Sequence, residues 1–134
     1  MYDDVILNKI ETVQRCIKRV NEEFTNEEEF KTNYTKQDSV ILNLERASQA
    51  TIDIGTHIIK SRKYGIPKSS RDVFIILNNY SVISDKSLKN MSAMVGFRNI
   101  AVHDYQNLSI DIIISIVKNH LKDFNLFIEE ILNS

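Results

Sequence analysis

The chain has 134 residues, 43% of them hydrophobic and 26% charged, with a formal net charge of -1. A chain of this length can bury roughly two thirds of its unfolded surface, so one domain over residues 1–134 suffices. Three glycines and one proline are too few for the turns of an all-β domain, one cysteine excludes an intrachain disulfide, and the near-neutral charge excludes attraction of nucleic acid by the whole surface. The expectation is an all-α, up-and-down bundle of about five to six helices. The acidic start Met1-Tyr2-Asp3-Asp4 lacks the basic and apolar runs of a secretory signal, and no stretch approaches the ~18 apolar residues of a membrane span. A cytoplasmic chain without a membrane segment is expected.

In the first segment Ile6, Ile10, Val13, Ile17, Val20 and Phe24 recur at spacings of four and three, the seam of an amphipathic helix. Cys16 beside that seam reads as a small buried side chain rather than a reactive thiol. Glu22, Glu23, Glu27, Glu28 and Glu29 crowd the following stretch, where Thr25 and Glu28 fit a capping box and predict a short helix over 26–33. Residues 37–63 are apolar on more than one face, as befits a central helix, and Ala47, Ser48, Ala50, Thr51 and Gly55 let neighbouring backbones come close. Gly65 and Pro67 supply its stop. On this helix Asp53 and His57 stand at i and i+4, either as an internal hydrogen-bonded pair or as lining of a cleft. Lys60, Arg62, Lys63, Lys68 and Arg71 follow with no acid among them, a solvated helix end or a contact surface for a polyanion.

A short connecting helix is expected over 70–80, and Ser84 is a fitting N-cap for a helix running to Arg98. Ser109 looks like the cap of the last helix, on which Ile110, Val117, Phe124 and Ile131 repeat every seven residues. A second row, Ile113, Ile116 and Phe127, widens the core or buries against another chain. His120 beside it reads as a satisfied boundary histidine. Cys16 and the three histidines lack metal-ligand spacing, so no metal and no cofactor is expected.

The densest polar chemistry lies in residues 98–105, RNIAVHDY. Arg98 offers a permanent planar cation, His103 a group that moves protons near neutral pH, and Tyr105 a modifiable hydroxyl. Arg98 falls between Val95 and Val102 near the buried stripe, where a charge needs a partner or an anion. In one continuous helix Arg98 and Tyr105 would share a face, whereas His103 would sit about 140° from Arg98. Either the helix ends near His103 or a complete site draws on two copies of the chain. By spacing alone, the structural reading comes first: Arg98 pairs with a core-edge acid, and His103 and Tyr105 cap a helix end.

Three stretches together resemble the HepT toxins of the HEPN superfamily, the DUF86 family, partners of minimal nucleotidyltransferase (MNT) antitoxins. They are residues 37–54 (QDSVILNLERASQATIDI), 66–69 (IPKS) and 94–105 (MVGFRNIAVHDY), the last filling every position of that family's R-x4-H-x-Y pattern. The resemblance implies a HEPN-like helical homodimer with both motifs lining one cleft, and a metal-independent endoribonuclease acting as the toxin of a type VII toxin–antitoxin pair. It further implies catalysis by Arg98 and His103 with support from Asn99, an RNA product ending in a 2′,3′-cyclic phosphate, and silencing by adenylylation of Tyr105. The rival reading is a non-catalytic helical subunit that presents substrate to a nucleotidyltransferase; a purely structural dimer would leave residues 98–105 unexplained.

Overall fold

The computed structural model describes residues 3–134; Met1 and Tyr2, half of the acidic start, lie outside them. Among the described residues the order is α1 Asp4–Glu23, α2 Glu27–Thr32, α3 Tyr34–Arg62, α4 Ser70–Asn79, α5 Asp85–His103, a 3-10 turn Tyr105–Asn107, α6 Ile110–Asn119 and α7 Leu121–Leu132. The all-α bundle expected from the sequence is what forms, and no helix is long and apolar enough to cross a membrane.

Short polar side chains start most of these helices. Asp3, Asn26, Asn33, Ser69 and Ser84 each accept a hydrogen bond from the backbone N–H three residues on, filling a donor that the helix itself leaves empty. Each such cap is worth about 1 kcal/mol. The cap of α2 is therefore Asn26 and not Thr25, whose hydroxyl instead donates to Glu29 Oε2 at 2.8 Å. Asn26 holds the residue number from which a short acceptor reaches the third helical N–H. Ser109 occupies the N-cap position of α6, but its hydroxyl makes no capping bond.

The central helix is α3. It buries residues from Gln37 to Ile59 on several faces and packs against α1, α2, α4 and α5. The predicted seam of α1 is buried as far as Val20, Phe24 is half-buried against Phe30, and burial pushes the Cys16 thiol pKa up. Each fully buried Val, Leu or Ile contributes about 1.5–3 kcal/mol of transfer free energy. Gly55 is required by α4: a Cβ there would stand 2.4 Å from Val73 Cγ1. At the end of α3 the left-handed residue is Lys63, φ 57°, with Tyr64 N–H bonded to Ile59 O at 2.9 Å and Lys63 N–H to Lys60 O at 3.3 Å. The stop is thus a Schellman turn closed by a lysine, with Gly65 two residues later at φ 113°.

The single last helix expected from the heptad pattern is two. His120 leaves helical geometry at φ -125°, ψ 1°, while its ring Nδ1 pairs with Asp123 Oδ2 at 2.9 Å. The seven-residue repeat continues across the break because both halves turn apolar sides inward. Ile113, Ile116 and Phe127 are buried within this chain, and Phe127 meets Phe74 edge-on at 5.7 Å. The second apolar row therefore widens the internal core and is not left over for another chain.

Candidate functional site

The start of α5 is fixed to α7. Glu130 accepts from the backbone N–H of Ser84 at 2.9 Å through one carboxylate oxygen and from its hydroxyl at 2.7 Å through the other. Met91, Met94, Val95, Phe97 and Ala101 then bury one side of α5. The helix ends at His103: Asp104 turns to φ -149°, ψ 45°, its N–H still bonding Ile100 O at 2.8 Å. Its carboxylate accepts two bonds from Asn107 Nδ2, at 2.8 and 2.9 Å, which hold the 3-10 turn. The helix does end near His103, but only after it, so the angle of about 140° between Arg98 and His103 stands within one chain.

Arg98 is half-buried, and its Nη1 donates to Asn99 Oδ1 at 3.0 Å. Among the described residues no carboxylate lies within ion-pairing distance of it. An amide oxygen orients a guanidinium without neutralising it, so the full cationic charge is available to an anion. Asn99 precedes His103 by four residues, about 40° around the helix axis, so the Arg98–Asn99 bond draws the guanidinium toward the side that carries His103. No hydrogen bond joins Arg98 to His103 within the chain, and the imidazole is exposed at the helix end. Ile100 and Val102 flank it, each 42% exposed. Beside this helix end an apolar cavity of about 370 Å³ opens between α5 and α6, walled by Met94, Phe97, Ile100, Leu108 and Ile112.

Tyr105 has left the Arg98 face because the helix stops before it. Its hydroxyl donates a hydrogen bond to Asp38 Oδ1 in the second turn of α3. Burial, then the hydrogen bond and the charge of Asp38, push the phenol up to about 12. Sequence reasoning missed Asp38, although it lies in the second-helix block that carried the family resemblance. Sixty-seven residues separate the partners, and only the antiparallel run of α3 and α5 brings them together.

The remaining candidates lie elsewhere. Asp53 pairs with Lys9 at 3.1 Å and accepts from Gln49 at 2.9 Å, whereas His57 bonds Asp3 at 2.6 Å. The two do not pair with each other, as had been expected; both tie α3 to α1. The hydrogen bond from His57 is also the largest cause that holds the Asp3 carboxyl below its ordinary range. Of the basic cluster, Lys60, Arg62 and Lys63 sit at the far end of α3, roughly 36 Å along the axis from Asp38 at 1.5 Å per residue. The acidic stretch, by contrast, is largely used in pairs: Glu27 with Lys118 and Lys31, Glu29 with Lys36, Glu23 with Arg19. Among the described residues no three His, Cys, Asp or Glu side chains gather as a metal set.

Comparison with known proteins gives this arrangement its context. The sequence profile of the family described as Ribonuclease HepT-like matches residues 7–131. The mRNA nuclease HepT of Shewanella oneidensis is 49% identical over 129 residues, covering 96% of this chain and 97% of that protein. The tRNA nuclease HepT of Aphanizomenon flos-aquae is 27% identical over 88 residues, 66% of this chain and 60% of its own. Among solved structures, the tri-AMPylated Shewanella oneidensis HEPN toxin in complex with MNT antitoxin matches at a TM-score of 0.95 and 47% identity, covering 99% of this chain and 100% of that one. With a family match over nearly all its length, a 49% identical relative and the same bundle, the chain belongs to the HepT-like ribonuclease family.

Proposed function

We propose that this chain is a metal-independent endoribonuclease, the toxin of a HepT/MNT pair, working in the cytoplasm as a homodimer of one domain spanning 1–134. The observation that carries the reading is Arg98: a guanidinium held by Asn99, without a carboxylate, on the helix whose last residue is an exposed histidine. In the reaction, His103 takes the proton of an RNA 2′-hydroxyl as its oxygen bonds to phosphorus. The bond from phosphorus to the 5′-oxygen breaks, the leaving oxygen gains a proton, and a 2′,3′-cyclic phosphate remains. Arg98 stabilises the charge that builds on the phosphoryl oxygens, and Asn99 fixes the direction of its fork. Two features support a second copy: no hydrogen bond joins Arg98 to His103 within one chain, and the apolar side chains of Ile100 and Val102 stand exposed near His103.

The partner is an MNT-type nucleotidyltransferase. It transfers AMP from ATP to the hydroxyl of Tyr105, with pyrophosphate leaving, and the new phosphate and adenosine compete with RNA for the nearby cations. Modification also removes the proton that Tyr105 donates to Asp38. The test is adenylylation by the cognate partner: the mass of one or more AMP groups added to the parent chain and none to Tyr105→Phe is expected. Partner-dependent AMP on the phenylalanine variant, at another residue and with full silencing, would contradict the assignment.

A further inference from the structure

Resting on the ribonuclease reading, we propose that Arg71 is a second phosphate-binding residue for the RNA strand, gripping a phosphate beside the one that is cut. Arg71 is the second residue of α4. Its Nη2 lies 3.2 Å from the point where a Cβ on Gly96 would stand, so the guanidinium rests on the surface of α5 in the space a side chain would fill.

Gly96, Asn99 and His103 follow at spacings of three and four and form one face of α5. Arg71 therefore reaches the His103 face across a glycine. Among the described residues it makes no ion pair and no hydrogen bond. The acid next to it in sequence is already engaged, since Asp72 Oδ2 accepts from Lys68 N–H at 2.8 Å. Between Asp85 and Asp104 the helix itself carries Lys86, Lys89, Arg98 and His103 and no acid at all. Two guanidinium groups, Arg71 and Arg98, thus stand unneutralised against one helix, and each offers the planar fork that suits a phosphate.

Gly96 precedes His103 by two helical turns, about 10 Å along the axis. That separation is too long for one phosphate to meet both groups, so a strand laid along α5 brings a neighbouring phosphate to Arg71. Its role is to hold the strand in register; it is a positioning residue. Lys60, Arg62 and Lys63 of the basic cluster do not share this role, because they end α3 at the opposite pole from Asp38 and Tyr105.

The test measures binding without turnover, using a fluorescently labelled 2′-O-methyl RNA oligonucleotide whose blocked 2′-oxygen cannot attack. Parent, Arg71→Ala and Arg71→Lys are titrated across a salt series, and sedimentation of each confirms the same assembly. Arg71→Ala is expected to bind about fivefold more weakly and to lower the slope of log affinity against log salt by about 0.7, one single-strand phosphate contact. Arg71→Lys is expected to retain the slope. The proposal is overturned if Arg71→Ala keeps the parent's affinity and slope, if the parent binds no RNA, or if Arg71→Ala changes the assembly, which makes it an interface residue. Cleavage of unmodified RNA by parent and His103→Ala, run alongside, reads the nuclease assignment separately: cleavage that needs His103 beside binding indifferent to Arg71 removes this proposal alone.

Discussion

Replacing Asp38 with asparagine keeps the size of the side chain that receives the Tyr105 hydroxyl and deletes its charge. In the parent the phenol is raised from 10 to about 12, by burial first and then by Asp38. Two pH units correspond to about 2.7 kcal/mol between protonated and ionised forms. Tyr105 is 44% exposed, so solvent screening reduces the coupling to about 1 kcal/mol, divided between burial and the carboxylate. The sign follows from the raised value. Below pH 10 the phenol is protonated folded or unfolded and the contribution is whole; from pH 10 upward the unfolded chain releases its proton first, and the stability is lost as pH rises through about 12. In Asp38→Asn the burial remains, so the phenol should fall only part of the way back. The assay is ultraviolet titration of tyrosinate in parent, Asp38→Asn and Tyr105→Phe, the last isolating one of five tyrosines. Identical Tyr105 titrations in parent and Asp38→Asn, or a parent phenol titrating at its ordinary value, would refute the coupling.

Two further substitutions test the scaffold beneath the site. Gly55→Ala puts a Cβ 2.4 Å from Val73 Cγ1 and 3.1 Å from Leu77 Cδ1; an overpacking cost of about 1–3 kcal/mol is expected in urea denaturation. Adding Val73→Ala should recover part of it, and a double variant that loses the two costs independently would show that α3 and α4 do not meet there. Lys63→Gly relieves a left-handed lysine at φ 57° and should raise the unfolding free energy by about 1 kcal/mol. An unchanged or lower urea midpoint would remove the strain argument.

The helices were readable wherever local rules suffice. Ser84 caps α5 as its sequence suggests, and the i, i+3, i+4 seam of α1 is buried as spaced. The break at His120 was not readable, because neither glycine nor proline marks it and the apolar repeat passes through unchanged; the His120–Asp123 contact appears only in three dimensions. Similar reasoning explains Asp53 and His57. An i, i+4 pair on one helix can meet, but Lys9 on α1 takes Asp53 and the α1 cap Asp3 takes His57.

At the site, Arg98, Asn99, His103 and Tyr105 were visible as residue types whose chemistry converges within one octapeptide. Their arrangement was not. The guanidinium is steered by its own neighbour Asn99, whereas the phenol leaves the helix altogether and finds Asp38. The basic run at 60–71 looked like one patch because charge was read along the chain. Folding divides it at the turn after Arg62, and Arg71 comes to lie on α5 at Gly96.

The central claim is that His103 moves the proton in RNA cleavage. Its most direct measurement is cleavage of single-stranded RNA by purified chain without its partner, beside His103→Ala, with intact mass showing Tyr105 free of AMP in both. Cleavage by the parent, a cyclic phosphate on the product, and a loss of at least about a hundredfold in the variant are expected. Equal cleavage by both, or none from an unmodified and correctly folded parent, would contradict it and favour a subunit that only presents substrate to its nucleotidyltransferase.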